Sequence, residues 1–188
     1  SYEFGVIDPY IIGQIYELFL DEALVIREDG HIETQEKPEV VDSQGAVNTP
    51  KNITDIIIEE TLRPLYENRT PEEVAQYRIA DICCGSGNFL LSAFEYIVNY
   101  HIEYYRNHDR KNAERRGDIY QLAGSTNYIL SYERKRSILK NNIFGVDIDP
   151  LAVEVSKFSL LLKALENSSL EEAEAFHQRT NQRILPNL

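Results

Sequence analysis

Two aspartates set the chemistry this chain could perform. Asp81 lies near the end of the apolar run Ile79 to Cys83, and Asp147 follows Ile143-Phe144-Gly145-Val146. After each run the chain turns and then continues with apolar residues at helical spacing, so each unit reads as strand, turn and helix. In open α/β sheets the carboxyl ends of strands are where ligands bind. The first turn, Cys84-Gly85-Ser86-Gly87, adds glycines that let backbone approach a ligand, and unpaired N–H groups at a helix start. A carboxylate after the second strand can accept hydrogen bonds from both hydroxyls of a ribose, so the pair describes a nucleoside pocket. A dinucleotide fold asks for Gly-x-Gly-x-x-Gly, but Leu90 stands where the third glycine belongs. It also asks for an acidic residue about 20 positions on, whereas Asp147 comes far later.

Other elements must position these groups. The spacing of Ile11, Ile12, Ile15, Leu18, Phe19 and Ala23 predicts a helix from Pro9 to Ala23. Leu24-Val25-Ile26 and His31-Ile32-Glu33-Thr34 flank Asp29-Gly30 and predict a hairpin, followed by a loop from Lys37 to Gln44. Thr49-Pro50 reads as a capped helix start with Ile53, Ile56 and Ile57 on one face, interrupted at Arg63-Pro64, and a polar connection runs on to Gln76. Leu90, Phe94, Ile97 and His101 form a helical stripe with Tyr96, Tyr100, Tyr104 and Tyr105 around it; His101 lacks a partner at i+4 and reads as a packed or surface histidine. Residues 107–127 read as loops, Tyr128 to Lys140 as a basic helix, and Ile143 to Ile148 as the second strand. Asp149-Pro150 caps a last helix carrying Leu151, Val155, Phe158, Leu162 and Leu165.

Composition narrows the class. The 188 residues are 43% hydrophobic and 27% charged, ordinary values for one globular core. Apolar runs stop short of the roughly 20 residues a spanning helix needs, and no basic, apolar leader opens the chain, so the expected location is cytoplasmic. Cys83 and Cys84 are adjacent, which suits neither a structural disulfide nor a zinc site; no metal is expected. The net charge of −12 repels polyanions, but residues 106–140 hold nine of the 19 basic residues. That stretch reads as a solvated helical face or as a surface for nucleic acid or another domain. Starting at Ser1 with no methionine, the chain is expected to be an excised fragment, although removal of an initiator methionine explains the first residue equally well.

Asp81-Ile82-Cys83-Cys84-Gly85-Ser86-Gly87-Asn88-Phe89-Leu90 resembles the first S-adenosylmethionine motif of the adenine-N6 DNA methyltransferases of restriction-modification systems, Asp-Pro-Ala-Cys-Gly-Ser-Gly-x-Phe-Leu. Gly145 to Ala152 is similar to that family's second motif, and Gly45-Ala46-Val47-Asn48-Thr49-Pro50 to its Gly-x-x-Tyr/Phe-Thr-Pro element. The resemblance implies an α/β chain with an incomplete Rossmann-like class I methyltransferase fold. Residues 1–44 would be a helical and hairpin extension, and 45–188 the S-adenosylmethionine-binding part, truncated at its C-terminus. It implies that Thr49 and the backbone of Cys83, Cys84, Gly85 and Gly87 hold the methionine part of the cofactor, with Asp81 near its amino group. Asp147 would take the ribose hydroxyls and Ile148 would pack on the adenine, whereas Asp149 is explained as a helix cap. Ile82 departs from the usual proline and Asn48 from the usual aromatic.

The family's catalytic element, Asn/Asp-Pro-Pro-Tyr/Phe, holds the target amino group and stacks the flipped adenine, and it does not occur in this sequence. Asp8-Pro9-Tyr10 lacks the second proline and opens a helix. No catalytic residue is therefore expected in this chain, and the motif is expected beyond Leu188. DNA is the implied partner, mainly through regions outside this chain. The competing readings are a non-catalytic Rossmann-like interaction module and, last, a nicotinamide-dependent oxidoreductase.

Overall fold

The computed structural model describes residues 8–18, 22–36, 49–122 and 124–168. Helix α1 (Pro9–Leu18) leads into an antiparallel hairpin of β1 (Glu22–Ile26) and β2 (Ile32–Glu36), in register at Ile26 and Ile32. The hairpin expectation holds: Gly30 takes φ +81° in the turn, and Arg27 N–H donates to His31 O. The first helix is shorter than its apolar spacing predicts, since Ala23 belongs to β1. It also buries a different face: Ile11 and Ile15 are half exposed, while Tyr10 and Tyr16 are buried. Burying the tyrosines gives their hydroxyls partners, Ser92 for Tyr10 and Asp149 for Tyr16, and leaves their rings out of water. The expected loop from Lys37 to Gln44 lies outside the described residues.

Helix α2 (Lys51–Tyr66) begins one residue later than the Thr49 cap predicts: Pro50 is the N-cap and no side chain caps it. Its buried face is Thr54, Ile58, Leu62 and Tyr66, not the exposed Ile53, Ile56 and Ile57. Pro64 does not interrupt it. The last turn survives because Tyr66 is locked against Tyr77, Tyr96 and Tyr100, with ring centroids 5.1–5.9 Å away. The expected polar connection contains a short helix, α3 (Pro71–Val74), whose Thr70 and Glu73 form a reciprocal capping box.

Strand β3 (Ile79–Asp81) and β6 (Ile143–Gly145) form a parallel pair in register Ile79 to Ile143 and Asp81 to Gly145. Between them run α4 (Asn88–His108), α5 (Arg110–Arg116), the antiparallel β4 (Ile119–Gln121) and β5 (Tyr128–Leu130), and α6 (Tyr132–Asn142); α7 (Pro150–Leu165) follows β6. Both strands of this pair end sooner than expected, with Ile82, Cys83, Val146 and Ile148 exposed beyond them. The buried Asn142 donates to Val74 O and Tyr77 O at 3.1 and 2.7 Å, anchoring the entry of β3 to the entry of β6.

The long helix α4 is as predicted: Leu90, Phe94, Ile97 and His101 are all buried at the centre of the core. Residues 107–127 are not simply loop. Ala113 and Ile119 are fully buried, and Gly117 at φ +74° closes α5 while Asp118 N–H donates to Ala113 O. Such short elements carry too few apolar residues to show a period. Likewise Tyr128 to Leu130 pair with β4 rather than opening α6. In α7 the buried side is Ala152, Ser156, Ser159, Leu160, Leu162 and Ala164, while Leu151 and Phe158 of the expected stripe are half exposed. Small residues are needed there because backbone of the Gly87 turn lies against Ser156.

Candidate functional site

The parallel pair brings the two aspartates to one edge. Beyond the ladder, Val146 N–H donates to Asp81 O and Cys84 N–H to Val146 O, at 2.9 and 3.0 Å, so the two turns leave the sheet together. Asp81 Oδ1 accepts the Cys83 N–H at 3.0 Å. Asp147 Oδ2 accepts the Gly85 N–H at 2.8 Å, and its Oδ1 accepts the Asp149 N–H at 2.9 Å. One carboxylate thus fixes the turn after β3 and shapes the turn after β6, with lone pairs remaining on both oxygens.

The glycines are there for reasons of backbone. Gly85 and Gly87 take φ +51° and +93°, a region that side chains resist. A Cβ on Gly87 would stand 2.9 Å from Ser156 Cβ and 3.2 Å from Ser156 Cα. Gly87 N–H donates to Cys84 O, and Gly87 O accepts the Leu91 N–H, so the turn passes directly into α4. Cys84 is buried, and burial, reinforced by the Asp147 and Asp81 carboxylates, pushes its thiol up to about 11. It is a neutral packing residue. Cys83 is exposed, and both are free thiols.

Asp81, Cys83, Cys84, Gly85, Gly87 and Asp147 therefore share one site. Ile148 is 99% exposed beside Asp147, and Ile82 and Val146 are largely exposed on the same edge, a patch of uncovered apolar surface around polar turns. Thr49 is half-buried just ahead of α2 and does not serve as the cap its position suggested. Asp149 does cap α7, its Oδ1 accepting the Leu151 N–H at 2.9 Å, but its Oδ2 also accepts the Tyr16 hydroxyl at 2.5 Å.

Tyr16 and Gly13 escaped the sequence reading. The signal was present: Tyr10, Gly13 and Tyr16 recur at three-residue spacing along one side of α1, and a glycine inside a helix marks a close approach. Tyr10 of the Asp-Pro-Tyr triplet is buried, its hydroxyl 3.2 Å from Ser92 Oγ and its ring under Lys51 Nζ at 4.7 Å. That ring cannot stack on a nucleobase. The basic segment is partly spent internally. Arg116 and Arg134 each place Nε 2.7 Å from the buried Asp118, and Lys135 Nζ donates to Glu166 O at 2.6 Å. Arg106, Arg110, Lys111 and Arg115 are exposed. Among the described residues no helix is long and apolar enough to cross a membrane.

Residues 60–186 match the family of the MmeI DNA-methyltransferase domain. The type II restriction enzyme and methyltransferase RM.Eco57I of Escherichia coli is 37% identical over 171 residues, which cover 91% of this chain and 16% of that protein. A putative type II restriction enzyme and methyltransferase of Methanocaldococcus jannaschii is 27% identical over 97% of this chain and 16% of its own length. The adenine-specific methyltransferase PglX of Streptomyces coelicolor is 30% identical over 69% of this chain and 9% of its own length.

Proposed function

The chain belongs to the MmeI DNA-methyltransferase domain family, and from that premise we propose that it is the S-adenosylmethionine-binding part of a restriction-modification enzyme that methylates the N6 amino group of adenine in DNA. It spans only 16% of the length of the first two relatives, so the activity belongs to a longer protein. The observation that carries the reading is the Gly85 to Asp147 hydrogen bond, which joins the turns of two adjacent parallel strands into one site. The arrangement suits an incomplete Rossmann-like fold of which β3 and β6 are two neighbouring strands.

The residues fit the cofactor. The open φ region at Gly85 and Gly87 lets main chain lie against the methionine part, with Asp81 near its ammonium; Thr49 is assigned to the methionine part on the motif resemblance alone. Asp147 keeps acceptor capacity for ribose hydroxyls. Ile148, with Ile82 and Val146, offers apolar surface for a purine that would otherwise remain in water. When bound, S-adenosylmethionine supplies an electrophilic methyl group on a sulfonium. This chain's own part is to bind, orient and shield it. The Asn/Asp-Pro-Pro-Tyr/Phe element is absent from the sequence and Tyr10 is packed away, so the 188 residues by themselves transfer no methyl group.

Calorimetry with S-adenosylmethionine tests the reading directly: binding is expected, together with no methylation of duplex DNA. Absence of binding overturns the cofactor assignment, and turnover on DNA overturns the assignment of catalysis to residues outside this chain.

A further inference from the structure

Helix α1 meets both turns of the site. Gly13 lies against the first: a Cβ there would be 2.9 Å from Ser86 Oγ, 3.2 Å from Ser86 Cβ and 3.5 Å from Asn88 Oδ1. Tyr16, three residues on, reaches the second. Its phenol, 9% exposed, donates to Asp149 Oδ2 at 2.5 Å, and Asp149 N–H donates to Asp147 Oδ1 at 2.9 Å. At the start of the same helix Tyr10 is hydrogen-bonded to Ser92 on α4. Capping α7 occupies only Asp149 Oδ1. The second oxygen, held by a charge-assisted bond from a different element, is thus spent on orientation rather than on the cap.

We propose that α1 is a wall of the cofactor pocket and that Tyr16 is a positioning residue for S-adenosylmethionine, acting through Asp149 on Asp147; this rests on the cofactor reading above. The relay is short. Tyr16 fixes the Asp149 carboxylate and with it the backbone of the 147–149 turn. The Asp149 N–H then holds one oxygen of Asp147 while Gly85 N–H holds the other. A ribose meets a carboxylate already oriented, and none of its binding energy is spent on ordering that side chain and turn. Without the phenol, Asp149 keeps its cap but loses the bond that reaches it from α1.

The test is calorimetric titration of the 188-residue chain with S-adenosylmethionine, alongside thermal unfolding, for wild type, Tyr16→Phe, Asp149→Asn and the double variant. Asparagine still offers Oδ1 to the Leu151 N–H but turns an uncharged amide N–H towards the phenol in place of the carboxylate oxygen, so the charge-assisted bond is lost. Each single variant is expected to weaken binding about three- to tenfold with little change in Tm, and the double variant no further than either single one. A purely structural role for Tyr16 would lower Tm and leave the affinity of the folded protein unchanged. Wild-type binding with an unchanged Tyr16→Phe affinity overturns the inference alone. So does a double variant in which the two losses multiply. A wild-type chain that binds no S-adenosylmethionine overturns the inference and the cofactor reading together.

Discussion

Gly85 and Asp147, 62 positions apart, are joined by a 2.8 Å hydrogen bond from backbone N–H to carboxylate, and through it two separate turns become one site. Removing that carboxylate takes away both a structural tie and the proposed ribose acceptor. Asp147→Ala is therefore expected to weaken S-adenosylmethionine binding by tenfold or more, the worth of one or two hydrogen bonds to a charged group. Asp149→Ala, which leaves Asp147 in place, is expected to lose less. Equal losses in calorimetry would undo the ribose assignment.

Ile148 separates binding from folding. At 99% exposure it contributes almost nothing to the core, so Ile148→Ser is expected to change unfolding free energy by no more than about 0.5 kcal/mol. Cofactor affinity is expected to fall several-fold, because the adenine loses its apolar contact. An unchanged affinity removes Ile148 from the pocket.

Gly87→Ala tests the turn itself. The side chain would meet Ser156 and force a φ of +93° on a residue that resists it, at about 1–3 kcal/mol. For a chain of this size the midpoint of thermal unfolding should drop by roughly 3–10 °C. Adding Ser156→Gly removes the clash with Oγ and Cβ but not the backbone strain, so it should recover only part of the drop. Full recovery would mean that packing alone demands the glycine.

His101 gives the fold a pH dependence. It is 5% exposed, neither ring nitrogen has a hydrogen-bond partner among the described residues, and burial, with Arg134 nearby, pushes its pKa down to about 4, against the opposing pull of Glu72 and Asp118. An unfolded histidine titrates near 6.5. Protonation therefore favours the unfolded chain: stability is full above about pH 6.5 and falls as the pH drops towards 4, by up to about 3 kcal/mol. Urea unfolding at pH 7 and pH 5 measures the loss. In His101→Phe the decline across that interval should flatten, and an identical decline would assign it to other groups.

Sequence alone made the site more legible than the fold around it. The local geometry of the motif was readable because its demands are local: positive φ at Gly85 and Gly87, and turn N–H groups bonded to the carboxylates of Asp81, at the end of β3, and Asp147, two residues beyond β6. Helix α4 was equally clear, since Leu90, Phe94, Ile97 and His101 face a core on one side only. The apolar stripes of α1, α2 and α7 misled because those helices bury tyrosine, threonine and serine against polar partners and close backbone, and leave several isoleucines in water. Periodicity counts apolar residues, and it cannot see that Tyr16 has a carboxylate waiting for it. The short α5, β4 and β5 were invisible for want of length, and Asp149 looked like a cap alone because its second partner is far away in sequence.

The β3–β6 ladder is only three residues long, yet pairing Ile79 with Ile143 closes a loop of roughly sixty residues, whose entropy must be overcome before any contact at the strand ends is made. Local helices such as α4 need no such closure. During refolding, helical dichroism should thus return well ahead of the pairing, and the pocket, which exists only where the two strands end side by side, should be among the last parts of the molecule to assemble.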